Sequence, residues 1–231
     1  MKKEMRKIGA LILMLAVLLL SGCGGRHVDP AEVAKVWEPV HIETDADSRR
    51  LLENGMISYT VTNGADLAEL FGVSVDLVRQ MQFTLYSQDT WEPAAADVAV
   101  TEKVALKDIT CDGYAFCKRD VVCLDTQNFS KADVSRPAAP VGTVQHTLEG
   151  LDNVDGTALA KALGWDVLEE KELWNVQTVS VETGASVRVM TIPVCQLYHF
   201  EVVCSGMFGK TATNAGCIGQ VIGFCTVVCG V

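Results

Sequence analysis

Basic side chains are scarce in this chain of 231 residues. Its 19 lysines and arginines stand against 29 aspartates and glutamates, which gives a formal net charge of −10. The first 22 residues hold four of the basic residues and one of the acidic ones, so the remainder carries 15 basic and 28 acidic side chains, a net charge of −13. A surface this acidic repels phosphate backbones. The composition therefore argues against a nucleic-acid partner.

The chain also lacks a complete signature for catalysis or for metal binding. Its four histidines are scattered, and none pairs with an acidic residue in a recognised metal pattern. Among the cysteines, only Cys225 and Cys229 have a spacing typical of zinc ligands. The acidic stretches 43–47 and 152–155 lack the alternating oxygen ligands and central glycine of a calcium loop. We therefore predict no catalytic residue, no metal and no cofactor.

The N-terminus has the features of an export signal. Residues 1–7 are basic, residues 8–20 form a 13-residue run of apolar residues and glycine, and the sequence Leu20-Ser21-Gly22-Cys23 follows. A charged segment, an apolar stretch too short to span a membrane comfortably, and small residues at the end are typical of a secretory signal peptide. We assign residues 1–22 to that signal.

The segment Leu20-Ser21-Gly22-Cys23 resembles the lipobox of bacterial lipoproteins. The resemblance implies that the Cys23 thiol receives a diacylglycerol, that the chain is cut before Cys23, and that acyl chains such as palmitate hold it on the extracytoplasmic side of the cell membrane. More than one acyl chain gives stable anchoring. The alternative is a transmembrane anchor, or a cysteine that merely follows a signal peptide.

The mature chain divides into four parts by composition. Residues 23–54 are polar and form a tether and lead-in, 55–134 a first α+β lobe, 135–142 a linker with two prolines and a glycine, and 143–231 a second α+β lobe. The second lobe ends in an apolar, cysteine-rich tail. The predicted fold class is α+β, with short antiparallel strands and a few helices.

Apolar spacing predicts four helices, over residues 66–71, 75–82, 157–163 and 167–174. Strand-like runs lie at 56–62, 83–86, 98–106, 114–118, 121–125, 176–182, 186–194 and 197–204. Segments 64–72 and 156–164 share the pattern Gly-x-x-Leu-Ala-x-x-apolar-Gly at an offset of 92. Either the two lobes are related by duplication or the match is a coincidence of common residues.

Eight cysteines remain once Cys23 is assigned to lipid. They are Cys111, Cys117, Cys123, Cys195, Cys204, Cys217, Cys225 and Cys229. An even number in an exported chain favours disulfides, and the odd counts of three and five in the two lobes would then require a bridge between them. The alternative is that they are free thiols that act as small buried hydrophobic residues.

Two further resemblances suggest alternative functions. Residues 209–218 resemble the nucleophile loop of L,D-transpeptidases, which implies Cys217 as nucleophile and His199 as its base; the family's own histidine is replaced by Asn214-Ala215. Residues 59–82 resemble a shortened lysin motif, which implies a strand, a turn and two helices that bind peptidoglycan.

The function we predict is a membrane-anchored envelope lipoprotein that acts as a binding or structural module. Its expected partners are the membrane, through Cys23, and another envelope protein or a wall fragment. The alternatives are a cysteine-dependent envelope enzyme and a peptidoglycan-binding protein. The tail 215–231 has only Gln220 and Thr226 as polar side chains, so we expect it to lie in the core.

Overall fold

The computed structural model describes residues 37–87, 93, 97–117, 122–138, 141–174, 177–206 and 211–231. The signal peptide, Cys23 and the first part of the tether lie outside the described residues. Two short helices are described, α1 (Gly64–Phe71) and α2 (Gly156–Leu163), with a single 3-10 turn at Val75–Leu77. The α+β prediction is confirmed, with strands strongly predominant.

The described strands, in chain order, are β1 (Trp37–Val40), β2 (Thr44–Leu51), β3 (Ile57–Val61), β4 (Val78–Leu85), β5 (Val98–Ala99), β6 (Val104–Cys117), β7 (Val122–Gln127), β8 (Val134–Ala138), β9 (Val141–Gln145), β10 (Thr147–Glu149), β11 (Glu170–Trp174), β12 (Gln177–Val181), β13 (Ser186–Ser205) and β14 (Thr211–Gly230). The two predicted strands 186–194 and 197–204 are thus one continuous strand.

The centre of the main sheet is the antiparallel pair β13 and β14, each 20 residues long. Their register runs from Val187 opposite Gly230 to Ser205 opposite Thr211, with one irregularity between Val194 and Cys195. The tail that is almost free of polar side chains forms β14, which is buried from residue 216 to residue 229. Its hydrophobic composition suits a strand that is covered on both faces.

Neighbouring strands extend the sheet in the order β1-β6-β13-β14-β4-β3-β2. Strands β7 and β6 lie along the same edge of β13: β7 pairs with residues 186–191 and β6 with residues 194–204. Pro193 lies between these two stretches, where the partner strand of β13 changes from β7 to β6. A proline has no amide proton to donate to a sheet, so a gap between two partner strands is a position that tolerates it.

Strands of the first predicted lobe flank the central pair from the second lobe on both sides of this sheet. Strand β6, from residues 55–134, pairs with β13, and β4, from the same part of the chain, pairs with β14. Residues 135–142, the predicted linker, contribute to β8 and β9. The two parts of the chain therefore share one sheet rather than forming separate ones.

Helices cover one face of the main sheet. Ile192 and Val194 of β13 pack in one cluster with Leu67 and Phe71 of α1. Further along the same strand, residues 200 and 202 pack in a cluster with residues 159 and 163 of α2. These β13 positions are all even-numbered, so their side chains project from the same face of the strand.

A two-stranded ribbon, built from two successive strand pairs, covers the opposite face. Strand β8 pairs with β12 and β9 with β11, and the register continues unchanged from one pair to the next. Val179 and Val181 of β12 pack against Val187 and Val189 of β13, which are odd-numbered positions. The main sheet is therefore buried between the helices and this ribbon.

Two polar contacts join the ribbon to the main sheet. The Tyr86 hydroxyl, just after β4, donates to the Glu172 carbonyl oxygen at 2.7 Å, and Arg79 Nη1 on β4 donates to the Ser180 carbonyl oxygen at 3.1 Å. Burial raises the pKa of the Tyr86 hydroxyl, which stays protonated and remains a donor. Both contacts use backbone acceptors, so they fix the ribbon independently of its side chains.

Two of the four predicted helices are wrong. Residues 75–82 form the 3-10 turn and then the first half of β4, and residues 170–174 of the predicted helix 167–174 form β11. In β4 the side chains of Met81 and Phe83 are buried because they lie on one face of a strand that pairs with β14. Contacts with distant strands override a local helical pattern.

Gly223 of β14 offers a test of this packing. A Cβ atom there would lie 2.0 Å from the Thr84 carbonyl oxygen, whereas a Cβ at Gly64 would meet Met81 at an ordinary 3.7 Å. We expect Gly223→Ala to lower the free energy of unfolding by about 1–3 kcal/mol, because β4 and β14 must move apart. The control Gly64→Ala should be neutral or slightly stabilising. Urea unfolding of both variants measures the difference, and equal midpoints would contradict the close approach of β4 and β14.

Candidate functional site

The strand register brings together the two residues of the transpeptidase-like alternative. His199 of β13 is the direct partner of Cys217 of β14. Directly opposed residues of an antiparallel pair project from the same face, with Cβ atoms about 4.5–5.5 Å apart. An 18-residue separation in sequence thus becomes a close pair in space.

An aspartate that the sequence analysis missed joins the histidine. The ring nitrogen Nδ1 of His199 is hydrogen-bonded to the carboxylate of Asp112 in β6. Leu197 pairs with Gly113 and Tyr198 with Cys111, which leaves Asp112 as the extra residue of a β-bulge. Bulges re-aim a side chain. A glycine inside a strand often marks one, so Asp112-Gly113 is the sequence signal for this position.

The thiol of Cys217 is not suited to nucleophilic attack. Its residue is 1% exposed, and burial, with smaller contributions from the carboxylates of Glu149 and Asp112, raises its pKa to about 12. A cysteine nucleophile must be a thiolate near neutral pH. Within the described part of the chain, no hydrogen bond links Cys217 to His199. The three residues have the composition of a catalytic triad without an activated nucleophile.

The other two members of this cluster, His199 and Asp112, are partly exposed and can still make polar contacts. The His199 side chain is 38% exposed and that of Asp112 47% exposed. An imidazole whose Nδ1 is held by a carboxylate can present Nε2 to a ligand. The Asp112–His199 pair is therefore suited to binding a polar group at the surface of the sheet.

Seven cysteines are described with their side chains, and none of the seven forms a disulfide. Cys117, Cys195 and Cys217 lie in one buried cluster, and Cys111 is exposed. The strand pairs of the described sheets set no cysteine directly opposite another. Six of the seven side chains are buried, as the buried-thiol alternative expects. The side chain of Cys123 lies outside the described residues. Among the described residues, no group of histidine, cysteine and carboxylate side chains is arranged to hold a metal ion.

The lysin-motif-like segment is part of the main sheet. Strands β3 and β4 pair antiparallel, with Ile57 opposite Leu85, and α1 lies between them in sequence. The strand and the first helix that the resemblance implies are present, but the second helix is replaced by the 3-10 turn. Strand β4 also pairs with β14 and β3 with β2, so both edges of the segment are occupied.

Comparison of the chain with protein-family models, with curated proteins and with solved structures finds no match. Neither of the two described helices is long and apolar enough to cross a membrane.

A second histidine, His146, is buried between β9 and β10. Its Nδ1 accepts a hydrogen bond of 2.9 Å from the amide of Val221, and its ring packs edge-on against Trp165 with centroids 4.7 Å apart. Burial, reinforced by the charge of Lys171, lowers the pKa of His146 to about 4. Protonation of Nδ1 would remove the acceptor for Val221. The folded protein therefore holds this ring neutral.

We expect His146 to make the fold acid-sensitive. The unfolded chain binds a proton at this ring below its ordinary pKa of about 6.5, whereas the folded chain does so only near pH 4, so stability falls as the pH falls through that window. Between pH 7 and pH 5 the loss is about 2 kcal/mol. His146→Asn keeps an acceptor for Val221 without a titrating ring. Urea unfolding of both proteins at both pH values should show a smaller loss in the variant, and equal losses would contradict the assignment.

Proposed function

We propose that this chain is a bacterial cell-envelope lipoprotein, held on the extracytoplasmic side of the membrane by lipid on Cys23, and that it acts as a binding or structural module. The observation that carries the proposal is the sequence Leu20-Ser21-Gly22-Cys23 directly after a 13-residue apolar run. Such a run, with basic residues before it and small residues after it, is typical of an exported chain.

The environment of Cys217 supports a binding role over cysteine chemistry. A thiol with a pKa of about 12 is protonated at neutral pH, and its burial denies a substrate access to the sulfur. Binding needs no activated nucleophile. The partly exposed Asp112–His199 pair offers such a module a polar contact point for another envelope protein or a wall fragment.

The anchor is tested by the intact mass of the chain extracted from its own host. We expect a chain that starts at Cys23 and carries the mass of a diacylglycerol with or without a further acyl chain. Cys23→Ala should abolish the added mass and release the protein from the membrane fraction. An uncut chain without lipid in the unsubstituted protein would refute the proposal.

A second experiment, alkylation of the native protein at neutral pH, distinguishes the binding role from the cysteine-enzyme alternative. Cys111 is exposed, so it should react with iodoacetamide readily, whereas Cys217 should react only after unfolding, because its thiol is buried and protonated. Peptide mapping by mass spectrometry measures both sites in one sample, with Cys111 as the internal control. Alkylation of Cys217 faster than that of Cys111 would favour the envelope enzyme.

A further inference from the structure

One end of the main sheet carries exposed apolar side chains. Four neighbouring strands have their ends there: β7 ends at Gln127, β13 begins at Ser186, β14 ends at Gly230 and β4 begins at Val78. Phe129, just after β7, is 84% exposed. Val75 and Leu77, just before β4, are 47% and 46% exposed. We call Phe129, Val75 and Leu77 the apolar end.

Phe129 is held in place by a buried asparagine. Asn128 is fully buried, and its Nδ2 donates to the carbonyl oxygens of Val181 at 2.8 Å and Ala132 at 3.0 Å. Its Oδ1 accepts from the amide and the hydroxyl of Ser130. A loop with its polar groups satisfied in this way presents the phenyl ring to solvent at little entropic cost on binding. Among the described residues, Phe129 is the most exposed of the large hydrophobic side chains.

The rest of the apolar end lies about 14 Å away, across three strand spacings. Leu77 lies beside Gly230, at the last position of β14. The charged neighbours in sequence are Asp76 and Arg79 on this side and Lys131 and Asp133 on the side of Phe129. The turn before β13 adds Glu182, so this end has no excess of positive charge. A partner that fits this end is therefore apolar at its surface rather than strongly charged.

The start of the described chain is oriented toward the apolar end. Strand β1 is antiparallel to β6, and β6 is antiparallel to β13, so β1 runs parallel to β13. Trp37 pairs with Cys117, and the next residue of β6, Phe116, pairs with Val194. Trp37 therefore lies level with residue 193. From there the apolar end is about 23 Å away and the opposite end of β13 about 40 Å away, at 3.3 Å per residue.

The length of chain before Trp37 favours the nearer end. Cys23 and Trp37 are 14 residues apart in sequence, and a fully extended chain of that length reaches at most about 50 Å. About half of this length is enough to bring a lipid at Cys23 to the apolar end, whereas most of it is needed to reach the opposite end of β13. An anchored protein thus meets the bilayer most easily with its apolar end.

We infer that the apolar end rests on the outer surface of the lipid bilayer, with the Phe129 ring inserted among the lipid headgroups and upper acyl chains. The inference depends on the proposed lipid anchor. Because the end has no excess of positive charge, the contact is hydrophobic and does not require anionic lipid. It fixes the orientation of the sheet, so that the face of the protein away from the membrane is the one offered to a partner.

Fluorescence of the full lipidated chain in phosphatidylcholine vesicles tests the orientation. Phe129→Trp places a reporter at the apolar end, and Leu168→Trp is the matched control, because Leu168 is 59% exposed and lies beside the start of α2, which packs on the far half of β13. The unsubstituted chain supplies the background from the four native tryptophans. Vesicles with bromine on the upper acyl chains quench only tryptophans in contact with lipid.

We expect the tryptophan introduced at position 129 to lose emission in the brominated vesicles and to shift to shorter wavelength, and the one at position 168 to do neither. Mass spectrometry of the same samples reports the lipid on Cys23. Lipidated protein without quenching at position 129, or with equal quenching at both positions, overturns the inference and leaves the anchor standing. A blue shift without quenching that grows with protein density also overturns it, because a second copy then covers the apolar end. Absence of lipid on Cys23 overturns the proposed function and the inference together.

Discussion

The pairing of β13 with β14 organises the rest of the molecule. Apart from β2, which pairs with β3, every other strand of the main sheet aligns against one of these two or against a strand that does. The pair is buried on both faces, by helices on one and by the two-stranded ribbon on the other, and this burial requires close approach of its neighbours. At Gly219 the Trp37 ring lies where a side chain would be, and at Gly223 the backbone of β4 does. The length of the pair and its small residues together determine how tightly both layers can pack.

The same burial decides the chemistry of the candidate site. The register that sets His199 opposite Cys217 also places the thiol under the ribbon, where removal from water favours the neutral form. The neighbouring carboxylates act in the same direction. His199 and Asp112 lie at a bulge on the outer part of the sheet and keep contact with solvent. Strand pairing can therefore bring the residues of a catalytic triad together, while the burial of the cysteine leaves its thiol unreactive.

The sequence predicted the elements that local interactions determine. Helices α1 and α2 follow from apolar residues on one face, such as Leu67 and Phe71, and from a glycine just after the last turn. Segments 75–82 and 167–174 have similar spacing, yet residues 78–85 and 170–174 are strands, because their partners lie 138–151 residues away in β14 and 25–33 residues away in β9. The same distinction between local and distant interactions applies to the candidate site. His199 and Cys217 were identified from a local motif, whereas the placement of Asp112 depends on a bulge set by the register of β6.

The topology also determines which end of the sheet lies nearer to the start of the described chain. Because strands from the first part of the chain flank the pair β13 and β14 in one sheet, the ends of β4, β7, β13 and β14 are held together at one end of the sheet, and β1 runs parallel to β13. A two-lobed protein with a flexible linker would leave the position of the tether independent of Phe129. In a single sheet the distance from Trp37 to that edge is fixed at seven residues of strand, about 23 Å. The anchor proposed at Cys23, attached to such a rigid body, would restrict which surface can meet the membrane, and the apolar end is the surface that this restriction would favour.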